Sequence, residues 1–213
     1  MAIESQDTYL EMETGSGGAV TITAMTLANP TMLTAVAHGL SNGDVVTAAN
    51  FAGTDAGDIN GNSYVVQFVT DDTFAIDLDS TDLTITDNTD AATMTPKALT
   101  EIGEVVDGSR EDPGANEIDV THLRSTAKEF LMGLEDSGTY TLNVNWLFDD
   151  AGQEAVRAAK TSRDVKSFKV TYPDASTMTF DAYVKSFTGP GAAVDGKLTG
   201  SITLRITGPI VFA

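Results

Sequence analysis

The chain has 213 residues, is 41% hydrophobic, and sets 31 acidic side chains against 12 basic ones, for a formal net charge of -19. It contains no cysteine, which excludes disulfides, thiol catalysis and cysteine-ligated metals. So acidic a chain is ill suited to grip a phosphate backbone, which takes clustered Lys and Arg. No apolar run approaches the roughly 18 residues needed to cross a bilayer, so no transmembrane segment is expected.

In chain order, residues 1–10 are polar and acidic and lack the basic and apolar regions of a signal peptide. One short extended stretch is expected at 8–12. It leads to Gly15-Ser16-Gly17-Gly18, a flexible linker composition. Residues 19–95 are rich in Thr, Asp, Asn and Ala and hold strand-like runs at 20–25, 32–37, 45–49, 64–69 and 74–78. Asn42-Gly43 and Asn60-Gly61 supply the positive-φ residues of tight turns, and Asp71-Asp72 stands at hairpin spacing. With no helical period in view, this segment reads as a small all-β module. Charge divides along the same lines: residues 1–18 carry four acids and no base, 19–95 carry ten Asp and no base, and 96–213 carry all 12 bases with 17 acids. The acidity of the middle segment is read first as a means of staying soluble.

Residues 96–213 alternate with period two. Tyr140, Leu142, Val144 and Trp146 share one face, and Thr139, Thr141, Asn143 and Asn145 share the other. The period recurs in Phe168, Val170 and Tyr172, in Met178, Phe180, Ala182 and Val184, and in Leu198, Ile202, Leu204 and Ile206. The expected core therefore includes Tyr140, Leu142, Val144, Trp146, Phe168, Val170, Phe180, Ile202 and Leu204, in a sandwich or a sheet folded over a core. One helix interrupts the strands. Asp149 and Asp150 open it with charge that suits the N-terminal dipole, and Ala151, Ala155, Val156 and Ala159 form a narrow apolar stripe fit for close approach to a sheet. Arg157 and Lys160 fall in its last turns. Residues 107–116 have Gly, Pro and charge but no period, and read as an exposed, mobile loop of a length that is often functional.

Motifs for chemistry are weak. Gly191 to Lys197 matches the start of a phosphate-binding loop, but Leu198 stands where Ser or Thr would hold magnesium, and a strand rather than a helix follows. Asp77, Asp79 and Asp82, with Asp71, Asp72, Asp87 and Asp90 nearby, lack the calcium-loop spacing and read as solvated turns and strand ends. His38 and His122 lie far apart with no neighbour at metal-ligand spacing. No catalytic residue, metal or cofactor is expected.

Residues 101–106, 117–130 and 133–139 resemble the tail tube proteins of long-tailed, non-contractile phages. The likeness is carried by Ile118-Asp119-Val120-Thr121 with Gly133-Leu134-Glu135-Asp136-Ser137-Gly138. The helix start at Asp149-Asp150, a Tyr172-Pro173-Asp174 hairpin and a closing Ile206-Thr207-Gly208-Pro209 continue it, over 96–213 and the strand at 8–12. The middle segment is similar to another small β-domain of phage structural proteins, itself like the first catalytic-cysteine half-domain of ubiquitin-activating enzymes. Its carriers are Asn29-Pro30, the run from Ala37 to Asp44, Asn60-Gly61, Tyr64-Val65-Val66 and Asp72-Thr73-Phe74.

These resemblances imply a mainly β, two-sheet tail tube fold with one flanking helix. Its domain would be split into 1–18 and 96–213 by an insert at 19–95. They imply a structural virion protein, made in the host cytoplasm, whose hexameric rings stack into a tube. Neighbours' sheet edges would join into one barrel around an acidic lumen that repels DNA. The implied partners are other copies, a tape measure protein, a tail terminator and distal tail or baseplate proteins. DNA would pass without specific binding. Asp107, Ser109, Arg110, Glu111, Asp112, Pro113, Asn116 and Glu117 are the candidates for ring stacking, with Arg110 reaching a carboxylate on the next ring. The insert, on the order of 30 Å across, is expected outside. Alternation does not say which polar face points inward. A virion surface module for host or carbohydrate binding, or a capsid decoration protein, is the alternative. A glycosidase or peptidase has only the abundance of acids behind it.

Overall fold

The computed structural model describes residues 6–89, 91–112, 114–191 and 196–213. In chain order the elements are β1 (Tyr9–Ser16), β2 (Val20–Thr21), β3 (Ala24–Thr26), β4 (Thr31–Thr34), β5 (Val45–Ala49), α1 (Ala56–Ile59), β6 (Ser63–Gln67) and β7 (Thr73–Ile76). Then come β8 (Thr93–Glu101), β9 (Val105–Glu111), β10 (Gly114–Asp119), β11 (Phe130–Asp136), β12 (Thr139–Asn145), α2 (Ala151–Ser162), β13 (Lys166–Thr171), β14 (Thr177–Gly191) and β15 (Thr199–Phe212). Hydrogen bonds link most strands in one antiparallel path, β3-β4-β7-β6-β5-β8-β1-β13-β14-β15-β12-β9, with β2 also on β8, while β10 and β11 form a separate ribbon.

Two hydrophobic cores lie along this path. Phe74, Ile22, Leu33, Ile59, Val66 and Met94 centre one of them. The other gathers Phe168, Phe180, Leu142, Ile202 and Leu204 with Met12 of β1 and Val156 of α2. Among the core residues expected from alternation, Leu142, Val144, Phe168, Val170, Phe180, Ile202 and Leu204 are buried, and Tyr140 and Trp146 are half-buried against them. The second core is a β-sandwich. β14 and β15 are long and carry register shifts at Phe180/Asp181, Val184/Ser186 and Thr188/Gly191, irregularities of the kind that bend and twist a strand pair. Tyr140 on β12 lies 5.6 Å from Phe180 on β14 although β15 separates their strands, so the layers meet across the interior. The sandwich stays open between β9 and β1, and the fold is not a closed barrel.

Helix α2 sits tight against β8. The Asp150 carboxylate accepts from the Gln153 N–H (2.7 Å), a regular N-cap, and from the Gly103 N–H (3.2 Å). A β-carbon at Gly152 would collide with the Glu101 carbonyl, so glycine sets the approach of helix to strand. Gln153, which the apolar stripe did not include, is fully buried. Its amide donates to the Gly103 and Asn145 carbonyls (3.0 and 2.8 Å) and accepts from Leu147 N–H (3.0 Å). Gln153→Ala leaves these backbone groups buried and unpaired and should cost about 2–4 kcal/mol, read as a lower urea midpoint at unchanged slope. Gln153→Leu should not restore it.

Two expectations need correction. Residues 107–116 are not a structureless loop. Asp107, Ser109 and Glu111 lie in β9, in register with Asn143, Thr141 and Thr139 of β12, and Asn116 lies in β10. The cause is that β9 is an edge strand exposed along nearly its whole length, so nothing imposes an apolar alternation. Pro113 lies outside the described residues. The middle segment is also not purely β, since Ala56–Ile59 form a single helical turn, too short to show a period.

Candidate assembly surfaces

Strand β8 is shared by both lobes: its Thr93 to Pro96 end pairs with β5, and its Lys97 to Glu101 end pairs with β1. Its outward face begins a row of polar groups running across the sandwich. Lys97 lies 3.1 Å from Glu13 and donates to the Ser167 hydroxyl (2.8 Å), which in turn donates to Asp181. The turn before β5 covers the next step of this face. Asp44 lies 2.7 Å from the Lys169 ammonium, a side chain only 8% exposed. The Thr179 hydroxyl donates to the Gly43 carbonyl (2.9 Å), and Gly43, at φ 79°, has no room for a β-carbon against the Thr177 side chain. Burial pushes the Glu11 carboxyl above its usual pKa. Lys169 opposes that push, and Asp44 and Glu101 add to it.

A second surface is the β10–β11 ribbon. Ile118, Phe130, Leu131 and Met132 are exposed on it, Leu134 is 93% exposed, and Leu123 at its end is fully exposed. A lone two-stranded ribbon is marginal in water, and apolar exposure of this extent marks an interaction surface. Its base is pinned. Arg205 lies 2.7 Å from Asp136, whose carboxyl is held below its usual pKa chiefly by that hydrogen bond, and the Ser137 hydroxyl donates to the Gly208 carbonyl (2.7 Å).

A third surface is the outer face of β9, β12 and β15. Register places Asp107, Ser109 and Glu111 beside Asn143, Thr141 and Thr139, and these beside Ser201, Thr203 and Arg205. On this face hydroxyls and an amide stand among two acids, Asp107 and Glu111, and one base, Arg205. Among the described residues the outer edge of β9 has no strand partner.

The sequence-expected stacking residues are thus split. Asp107, Ser109 and Glu111 join the polar face. Arg110 alternates to the other side, opposite Tyr140, and pairs with Asp112 of its own chain at 2.6 Å. Asn116 and Glu117 lie on the apolar ribbon. The ribbon's apolar residues were missed, although Phe130-Leu131-Met132 with Leu134 is a signal of a strand bare on both faces.

His38 is structural: its Nδ1 accepts from Leu40 N–H (3.0 Å), its Nε2 lies 2.9 Å from the Thr70 carbonyl, and its ring packs on Phe74. Asp77 accepts from the Val65 N–H of β6 and is raised in pKa by burial, whereas Asp79 accepts from Thr81 and is lowered by those hydrogen bonds. Asp90 lies outside the described residues, as do residues 192–195 of the Gly191–Lys197 segment. Among the described residues no three His, Asp or Glu come together as metal ligands, and no helix is long and apolar enough to cross a membrane.

A β-sandwich with a bare edge, a polar outer face and a protruding apolar ribbon defines a structural assembly subunit. A family model described as "Lambda phage tail tube protein, TTP" matches residues 83–213, and the chain belongs to that family. It is a phage structural tail protein, a component of the virion. The match spans β8 to β15 and leaves β1 to β7 outside it, so the half-domain likeness of residues 19–95 gains no support. Among solved structures the chain is similar to one from the "Cryo-EM structure of the anti-feeding prophage (AFP) baseplate, 6-fold symmetrised". That likeness has 10% identity and a TM-score of 0.39, and it covers 55% of this chain and 84% of that one. No curated protein matches the sequence.

Proposed function

We propose that the protein self-assembles into six-membered rings that stack into the tail tube through which the phage genome passes. Its partners are further copies and the tape measure, terminator and distal tail or baseplate proteins that close the ends. The observation that carries this reading is one chain of the tail tube family with both a bare sheet edge at β9 and an exposed apolar ribbon. Two directions of contact are what stacked rings require: edge pairing within a ring and ribbon docking between rings. Negative-stain microscopy of concentrated protein should show long hollow tubes. Discrete particles at every concentration would point to a surface or decoration module instead.

The tube domain is 1–18 with 96–213, and 19–95 is the insert. Its separate core supports this, as does the closeness of its ends: Gly17 N–H donates to the Pro96 carbonyl at 2.7 Å. Excising 18–95 and joining Gly17 to Pro96 should therefore leave a folded, assembling chain. Loss of all folded structure, by circular dichroism, would refute that division.

The insert covers the outer face of β13 and the start of β14, so this layer faces outward. The other layer then lines the lumen with the polar face of β9, β12 and β15. Asp107 and Glu111 on that face, against Arg205, keep it acidic in balance, in line with the acidic-lumen expectation. Such a lumen offers DNA little cationic grip, since Arg205 on this face is paired with Asp136. Tubes should show no binding tighter than the micromolar range to duplex DNA at low salt, measured by anisotropy.

A further inference from the structure

A compact cationic cleft stands out on so acidic a chain. Arg157, Lys160 and Arg163 line it at the C-terminal end of α2, together with Trp146 and Phe187. The Arg157 guanidinium lies 5.4 Å from the Trp146 ring, and the Lys160 ammonium donates to the Phe187 carbonyl (3.2 Å). Phe148 stands beside Trp146 at 6.2 Å between rings and is 64% exposed. The cleft thus combines three cations with an exposed aromatic platform, a composition that selects an acidic partner with an apolar anchor.

The insert presents such a group. Phe68 is 66% exposed and held at φ 50°, a conformation that a bulky side chain adopts only under local constraint. The constraint is visible: Val69 N–H donates to Asn42 Oδ1 (3.1 Å), and His38 closes on Thr70. Exposed Asp71 and Asp72 follow at the turn into β7. This tip belongs to a segment with ten Asp and no base.

The two surfaces lie at opposite ends of the sandwich. The insert's 42–44 turn rests on Thr177 and Thr179 at the start of β14, whereas the cleft borders Phe187, towards the far end of the same strand. They do not meet within one subunit, and joined between copies they make a head-to-tail contact.

We propose that the Phe68–Asp71–Asp72 tip of one subunit docks into the Arg157–Lys160–Arg163 cleft of a second copy, so that the insert braces neighbouring subunits on the tube exterior. The contact rests on the tube reading only for what it braces. The test uses the full chain with Arg157→Glu and Arg163→Glu together, with Asp71→Lys, and with all three changes combined. Self-association is followed by sedimentation and microscopy, and each free subunit is checked by circular dichroism. Either reversal alone should raise the concentration needed for association about tenfold, and the combination should bring it back to near the starting value, as expected for paired charges. Association unchanged by either reversal, or a cleft reversal that the Asp71 change fails to rescue, overturns the contact while leaving the tube reading standing. Discrete self-association with the same rescue, but no tubes, would support the contact and overturn the tube reading. No self-association of any kind overturns both.

Discussion

Leu123→Ser combined with Leu134→Ser should abolish tube formation while leaving the free subunit folded. Both side chains project into solvent from the β10–β11 ribbon, so the free subunit loses no packing when they are replaced. In an assembled tube each would be buried against the next ring, and burying a leucine contributes about 1.5–3 kcal/mol. Losing both removes about 3–6 kcal/mol per subunit contact, which raises the concentration needed for assembly by about two to four orders of magnitude. Sedimentation should find the variant soluble where the parent protein pellets, with a melting temperature within about 2 °C of the parent, as expected of exposed substitutions. Pelleting at the parent concentration would remove the ribbon from the assembly mechanism.

Lys169→Met should lower subunit stability by about 3 kcal/mol. Lys169 pairs with Asp44 on the insert side and stands in register with Glu11 on β1. Methionine fills a similar volume but leaves two carboxylates facing each other with no countercharge. The loss should appear in urea unfolding. Protease cutting within 35–44 should also increase, because Asp44 is what the pair fastens. Glu11→Gln is the contrasting change. Burial raises the Glu11 pKa in the folded state, so its contribution to stability is fully present below the unfolded carboxyl pKa and is lost as pH rises through the folded value. At neutral pH the neutral glutamine should therefore match or exceed the parent in stability, and stability should vary less between about pH 4 and 7. A Glu11→Gln variant that fell as far as Lys169→Met would mean that the ion pair to Lys169 outweighs burial.

How much of this was legible in the sequence depended on whether a residue's neighbours are local. Strand β12 shows in the alternation from Tyr140 to Trp146 because one face is wet and the other packed. The α2 start shows in Asp150 because capping is settled within three residues. β5 shows as a run of Val and Ala. β9 does not show, since an edge strand bare on both faces has no period to display. The one-turn α1 is too short to have one. Gln153 looked like an ordinary helix residue, because its three partners are backbone groups from Gly103, Asn145 and Leu147 that only folding brings together. The Asp44–Lys169 pair joins positions 125 residues apart, and the basic cleft gathers α2 cations around aromatic side chains from β14 and the segment after β12. Pairings of that kind belong to tertiary packing and leave no trace in spacing.

In the proposed tube the β9–β12–β15 face looks into a lumen while the insert looks out. The chain has no cysteine, so single cysteines report cleanly. Asn143→Cys on the polar face and Thr54→Cys on the insert should both react with a small maleimide in the free subunit. In assembled tubes, a maleimide carried on a bulky polymer should label Thr54→Cys fully and leave Asn143→Cys protected until the tubes are dissociated. Equal labelling of both positions in intact tubes, or protection of Thr54→Cys with Asn143→Cys reactive, would rule this orientation out.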